Sequence, residues 1–461
     1  MSKNSSQPGF KETIWRPLMK SSAIFFILLL LLVGGFVSTY VLNTPILTRS
    51  TLGPILTTKI TSQKCPQQKT KIPKNSTQDM EIPLNCTEYV HTRTCPSNNK
   101  PDHISEQDAN CVSSEPSTCP EYFRWIYEDL SPWSHTGISK DMIEKARARS
   151  HFKLVIVDGK AYVERYDRSY QTRDLFTWWG VVQLLRRYPG KVPDLELVFN
   201  CHDQPLFSYV HANATDPGLL FGYCGDDNTV DIAFPDWSFW GWPEVNIKPW
   251  EHLVKDLEEG NKKMGWVDSV TFKIYIEGNA WSVSEKYILS CDSLTLLVNP
   301  RYYDFFSRGL KPMQHYWPIK DNDKCRSIKH AVDWGNIHQK QAQDIGKAAV
   351  EFIKEELKMD NVYDYMFHLL NEYAKLLKFK PTIPQNATEL CLESMFCPAK
   401  DLEKKYMRDS MVKYPSNANP CTMPPPFNPS SLFSILEKKA DSLKQVDMWE
   451  KIYWENQNKQ R

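Results

Sequence analysis

The amino-acid sequence predicts an α/β protein built on parallel, doubly wound sheets, and two observations carry that reading. Short apolar runs of strand length alternate along the chain with segments of helical period. Of the 461 residues, 41% are hydrophobic and 12% aromatic, enough for the cores of two or three domains. In such folds a ligand sits beyond the carboxyl ends of the strands. The balance of 56 Lys+Arg against 55 Asp+Glu excludes a chain that blankets nucleic acid. Its composition also excludes a collagen-like or wholly disordered protein.

Taken in order, residues 1–20 are a basic tail, and residues 21–42, SSAIFFILLLLLVGGFVSTYVL, are an uncharged stretch long enough to cross a bilayer as one helix. Lys3, Lys11, Arg16 and Lys20 precede this anchor, whereas the first basic residue after it is Arg49. Positive-inside bias therefore puts the tail in the cytosol and the rest in the lumen, a type II topology. The apolar run exceeds the usual h-region of a cleaved signal peptide. With QNKQR at the C-terminus, which is no retrieval signal, a Golgi membrane is expected ahead of the ER. A lumenal chain should carry disulfides and sequons. All 12 cysteines lie past the span without metal-ligand spacing, and Asn75, Asn85, Asn213 and Asn386 each head an N-x-S/T sequon.

Residues 43–118, rich in Thr, Ser, Pro, Lys and Asn, read as a stem. A packed region opens at Cys119 with CPEYFRWIYEDLSPW, whose apolar residues recur at helical spacing. HFKLVIVDGKAYVERY reads as a strand hairpin, DLFTWWGVVQLLRRYPG as a helix stopped at Gly190, and DLELVFN as a buried strand. Further strands are expected at FKIYIEG (272–278), SLTLLVN (293–299) and MQHYWPI (313–319). Helices are expected at SVSEKYILSC, HQKQAQDIGKAAVEFIKEELK and VYDYMFHLLNEYAKLLKF, where His368 reads as a core or boundary histidine. PPPFNP and a charged helix end the chain as a peripheral tail.

The strings CPEYFRWI, GDDNTVDIAFPDWSFWGWPE, IEGNAWSVSEKYILSCDS, YYDFF and LKPMQHYWPI, then AVDWGN and YDYMFHLLNEYAKLLKFKP, resemble the plant branch of the Rumi-type protein O-glucosyltransferases. That family includes fungal capsule-associated proteins. The resemblance, from about Cys119 to Pro398, implies a GT-B fold of two Rossmann-like domains facing a cleft. It also implies inverting transfer from a UDP-sugar with no metal or other cofactor. Residues 119–250 would be the acceptor-side domain, 251–400 the donor-side domain and 401–461 the tail.

LVFNCHDQP places Asp203 just past a buried strand, where inverting transfer needs a carboxylate to take the acceptor's proton. An Asp before x-Pro is also a common turn former. The resemblance matches Asp203 to the family's catalytic Asp, with Asn200 and Gln204 where plant relatives carry Asp and Trp. FPDWSFWGWPE supplies either flat rings that stack on a sugar or uracil, or an aromatic plug in the core. The resemblance puts Trp237 and Ser238 at the donor cleft. EGNAWSVSEKYIL reads as strand, glycine turn and helix start, with Ser282 or Ser284 as cap, an arrangement that can face a diphosphate. Its counterparts in the family make Gly278, Ala280, Ser282, Ser284 and Lys286 the UDP-binding loop, with Asn279 where relatives commonly have Trp. Asp321-Asn322-Asp323 has a D-x-D form but reads as a turn.

The resemblance also exposes a gap. Relatives carry a long stretch with a Trp-Arg-Gly-Asn-Pro motif and a further Arg before the FKIYIEG-like strand, and here only EHLVKDLEEGNKKMGWVDSVTF separates Trp250 from Lys273. The donor domain is therefore expected to be truncated and to lack a cation for the leaving diphosphate, with Lys286 as a partial substitute. Two functions follow. One is transfer of glucose or xylose to a hydroxyl of a protein or glycan in the secretory pathway. The other is an inactive lumenal relative that binds a glycan or a partner.

Overall fold

The structure, a computed structural model, describes residues 84–96, 117–208, 218–264 and 271–460. The 21–42 segment, most of the 43–118 stem, Cys65, Cys111 and the sequons at Asn75 and Asn213 lie outside the described residues. No helix among those described is long and apolar enough to cross a membrane. Asn85 caps α1 (Cys86–Thr92), its Oδ1 accepting from the Glu88 N–H. The aromatic run after Cys119 folds as short 3-10 turns around α2 (Trp125–Leu130), and Ser139 caps α3 (Lys140–Ala146).

Asp158 and Gly159 both have positive φ, 51° and 72°, the geometry that lets two residues close a hairpin with the native twist. They join β1 (Phe152–Val157) to β2 (Lys160–Arg165) in antiparallel register, Val157 opposite Lys160. α4 (Arg173–Arg187) leads to β3 (Leu195–Phe199), which pairs antiparallel with β1. β4 (Phe221–Gly222) and β6 (Ile232–Ala233), on either side of β5 (Gly225–Asp226), continue the sheet in parallel from β3. This sheet is therefore mixed, which corrects the expectation of parallel winding throughout. The tight Asp-Gly turn leaves no room for a crossover between β1 and β2, so that pair must run antiparallel.

The second sheet is parallel and short. α5 (Trp250–Met264) precedes β7 (Phe272–Tyr275), α6 (Ser284–Leu289), β8 (Leu294–Val298) and β9 (Tyr302–Tyr303). β10 (Trp317–Ile319) follows, so MQHYWPI is strand only in its last three residues. Met313, at φ 63°, belongs to the turn before it. The order is β10-β8-β7, all parallel, while β9 pairs with β5 instead. α7 (Lys324–Ile337) and α8 (Gln339–Glu356) lie on one face. The packing is close enough that a Cβ on Gly346 would lie 2.9 Å from the Ser293 backbone. The three strands match the number read from the sequence, and β7 has β8 as its sole neighbour among the described residues.

The chain then returns to the first sheet. α9 (Met359–Leu376) packs behind it, with Tyr373 donating to the Glu196 carbonyl at 2.9 Å, and β11 (Thr388–Leu390) adds to the edge at β2. Residues 251–400 are thus not one contiguous donor domain. α10 (Leu392–Phe396) and α11 (Asp401–Asp409) bury Phe396, Tyr406 and Met407 in the same core. The closing segment is docked rather than wholly peripheral, since α12 (Pro429–Lys459) seats Val446 and Glu450 on the second sheet's helices, Ser327 donating to Glu450 at 2.8 Å.

Disulfides join Cys86 to Cys397, Cys95 to Cys391 and Cys119 to Cys421. Cys201, Cys224, Cys291 and Cys325 remain thiols. Cys201 and Cys224 are core residues beside the parallel strands, and burial pushes both thiols well above their ordinary range. Of the sequons, Asn85 and Asn386 are exposed.

Candidate functional site

The carboxyl ends of the parallel strands carry the candidate residues. Past β3, Asn200 knits the turn, its Nδ2 donating to the Arg149 carbonyl and its Oδ1 accepting from the His202 N–H, each at 2.6 Å. Asp203 follows, half-exposed, with Oδ1 held at 2.6 Å by Nη1 of Arg173, the first residue of α4. Arg173 is itself buried. Nη1 also donates to the Cys201 carbonyl at 3.1 Å, and its guanidinium lies 4.4 Å from the Trp237 ring centroid. Downstream, the Asp231 carboxylate accepts from the N–H groups of Leu206 and Phe207 at 3.0 and 2.8 Å, fixing the other end of the Asp203 loop. Burial raises the Asp231 carboxyl to about 6, outweighing those two donors.

Past β6, the FPDWSFWGW run is an aromatic plug. Phe234, Trp237, Phe239 and Trp240 are buried, and Trp237 meets Tyr223, Trp242 and Trp281 edge-on at 4.9, 5.0 and 6.1 Å. No broad ring face of Trp237 is open to a sugar. Ser238 is buried and spends its N–H and hydroxyl on Asp236 Oδ1, while Tyr287 donates to the Ser238 oxygen at 3.0 Å.

Past β7 lies the 277–284 loop. Gly278 faces open space and Ala280 is buried. Ser282 holds the start of α6: its Oγ accepts from the Ser284 N–H at 3.3 Å and lies 2.9 Å from Ser284 Oγ. Lys286 corrects the expectation of a spare cation. Its ammonium, 1% exposed, donates to Asp236 Oδ2 at 2.8 Å. Burial opposes that charge, but the Asp236 carboxylate, Tyr287 and Asp304 together outweigh it, so the ammonium is held above the usual lysine range. Beside it, burial and the neighbouring Asp304 and Glu277 raise the Glu285 carboxyl well above its ordinary value.

The two sheets meet through these carboxyl ends. Gln204 Nε2 donates to the Asn279 carbonyl at 2.8 Å, so two of the positions that depart from the family pattern touch each other. Arg301, past β8, donates from Nε to Asp226 Oδ2 at 3.1 Å, and β5 pairs antiparallel with β9 beside it. Its side chain is 67% exposed. Glu277 accepts from the N–H groups of Arg301 and Tyr302, both at 2.9 Å, tying this turn to the 277–284 loop. Arg173 Nε, Trp237 Nε1 and Trp281 Nε1, on neighbouring side chains, are buried donors with no hydrogen-bond partner. Buried N–H groups are seldom left so. A cavity of about 190 Å³ lies elsewhere, lined by Arg187, Tyr363, Met411 and Tyr414 among others.

The family described as glycosyl transferase family 90 matches residues 114–272 and 268–450. The chain belongs to glycosyl transferase family 90. Its match comes in two pieces that overlap at residues 268–272, at the start of β7. Among similar proteins, the O-glucosyltransferase rumi of Drosophila melanogaster is 24% identical over 343 residues, covering 59% of this chain and 82% of the relative. The protein O-glucosyltransferase 1 of Homo sapiens is 24% identical over 353 residues, covering 61% and 86%. The rumi homolog of Aedes aegypti is 23% identical over 345 residues, covering 60% and 83%.

In this family 90 chain the sequence readings at Asp203 and at the 277–284 loop fall on facing strand ends. Arg173, Asp236, Asp231 and Arg301 were not singled out from the sequence. Each acts on a residue at least 24 positions away, and no local spacing signals that. Asp321 and Asp323, the D-x-D pair, sit in the exposed turn before α7 and pair with Lys324 and Arg326. Among the described residues the grouping with metal-ligand spacing is Cys119, His368 and Cys421, whose sulfurs are in a disulfide. His368 is a boundary histidine on the Cys421 carbonyl at 2.8 Å.

Proposed function

We propose that this chain transfers a sugar, glucose or xylose, from a UDP-sugar to a hydroxyl of a protein or glycan acceptor, with inversion. The observation that carries this reading is Asp203, gripped by a buried Arg at the crevice where the carboxyl ends of two parallel arrays meet. The acceptor oxygen attacks the anomeric carbon as its proton passes to Asp203. The bond from that carbon to the diphosphate oxygen breaks, and UDP leaves with the electron pair. Arg173 orients the carboxylate. Arg301, exposed beside the 277–284 loop, replaces Lys286 as the counter-charge for the diphosphate. The names of the relatives, O-glucosyltransferases, support protein hydroxyls as acceptors.

The disulfides and the exposed sequons at Asn85 and Asn386 support a lumenal position, and the reading includes a single-pass type II anchor at 21–42 in the Golgi or ER. The short donor-side sheet and the occupied Lys286 favour a second reading, an inactive relative that binds a glycan or partner. Calorimetry with UDP separates the two. Micromolar binding that is lost in Arg301→Ala, together with release of UDP in the presence of acceptor, establishes the transferase. Absence of UDP binding by the intact chain establishes the second.

A further inference from the structure

β7 is the outer described strand of a parallel sheet, and parallel sheets are ordinarily covered on both faces. On one face Phe272 is packed so closely that a Cβ on Gly335 of α7 would lie 2.8 Å from its ring. The next residue on that face, Ile274, is 48% exposed, Ile276, one position past the end of β7, is 51% exposed, and Ile337 at the end of α7 is 76% exposed. An edge of this kind is a template for another strand. Its residues read Lys273-Ile274-Tyr275-Ile276-Glu277, which is self-complementary about Tyr275 when a second copy runs antiparallel. Ile274 then falls opposite Ile276, and Lys273 opposite Glu277.

We propose that this edge joins a second copy of the chain, β7 beside β7, on a two-fold axis at Tyr275. A two-fold interface makes each contact twice, so four isoleucines gather on one face and two Lys–Glu pairs on the other. Glu277 is already held beside the strand by the N–H groups of Arg301 and Tyr302, and each carboxylate oxygen keeps a second lone pair for the incoming lysine. Three strands become six. Because the symmetry closes at two copies, the open edge is satisfied without further growth.

Sedimentation velocity of the full chain in detergent, from submicromolar to tens of micromolar, should show a monomer–dimer equilibrium. Ile274→Lys, and separately Lys273→Glu, which sets like charges opposite each other twice, should each raise the dissociation constant about tenfold or more. In a Cys325→Ser background, Ile274→Cys mixed with Ile276→Cys should cross-link on mild oxidation. Ile274→Cys alone should not, because its two copies lie on a diagonal about 7–8 Å apart. All these positions except Lys273 are the exposed isoleucines or an exposed thiol, so folding is not at stake in the cross-linking arm. A monomer at every concentration overturns the proposal. So does a dimer indifferent to both substitutions, which moves the interface elsewhere, for instance to the exposed Phe433, Leu436 and Leu443 of α12. Cross-linking of Ile274→Cys to itself overturns the register.

Discussion

The sheet around Asp203 and the sheet that carries the 277–284 loop differ in how they are finished. In the first, β3, β4 and β6 are wholly buried, α4 and α9 pack against it, and β11 returns from late in the chain to extend the edge at β2. In the second, three strands stop at β7 with two isoleucines open to solvent. The loops of the smaller sheet are held from across the crevice instead. Lys286 leans on Asp236, Arg301 on Asp226 and Asn279 on Gln204. A half with little scaffold of its own can thus present an ordered loop, provided that the complete half supplies the partners. Under the proposed function, proton transfer would belong to the rigid side, and donor binding would depend on contacts between the two.

The sharpest way to break this division of labour is at Asp203. Asp203→Asn keeps the shape and an acceptor for Arg173 but removes the proton acceptor. Transfer should fall by about two to four orders of magnitude while UDP-sugar affinity barely changes. Steady-state kinetics beside calorimetry check it, and near-normal turnover rejects the assignment.

Lys286 probes the contacts across the crevice. Lys286→Met strands the Asp236 carboxylate in the core, and breaking a buried pair from one side should cost about 3–5 kcal/mol in urea unfolding. Adding Asp236→Leu removes the second charge and should recover much of that loss. A protein of unchanged stability that has lost only UDP affinity would instead make Lys286 a ligand for the diphosphate.

Asp231 tests the rigid side through pH. Burial raises its folded carboxyl from 3.8 to about 6, so the fold favours the protonated form. The stability this confers is complete below about pH 4 and disappears as pH rises through about 6, a change of about 3 kcal/mol. Urea midpoints between those limits should therefore decline more steeply in the parent than in Asp231→Asn. Parallel profiles would remove Asp231 from the account.

The smallest effect is expected at the bridge between loops. Gln204→Ala removes the exposed hydrogen bonds from Gln204 Nε2 to the Asn279 carbonyl and Oδ1, worth about 1 kcal/mol, and should weaken UDP binding by no more than about fivefold, with turnover at saturating donor unchanged. A loss of turnover would place Gln204 on the acceptor instead.

Much of this architecture was legible because it rests on local chemistry. The Asp158-Gly159 turn announces its hairpin, the 3.6-residue period announces α4, α8 and α9, and the strand before Asp203 announces the crevice. The antiparallel order β2-β1-β3 was not legible, since apolar strands carry no mark of their neighbours. β11 has only three residues and depends on a partner more than 200 residues away. At the site, the aromatic run left plug and platform open, and burial settled it as a plug. Lys286 looked available because its partner lies 50 positions back, beyond any helical or strand period.

The three disulfides have a consequence for how the protein is made. Each joins cysteines 296 to 311 positions apart, so the first partners emerge from the ribosome long before the last. At ordinary rates of synthesis, roughly 5–20 residues per second, Cys86, Cys95 and Cys119 wait on the order of 15–60 s as reactive thiols. During that interval Cys201, Cys224, Cys291 and Cys325 appear, each nearer and each a wrong partner. Cys201 and Cys224 are enclosed in the finished first core, so early closure of that core would withdraw two of those competitors. Correct pairing would then depend on timing, and slowing the closure of the first core should be seen first as scrambled disulfides rather than as lost activity.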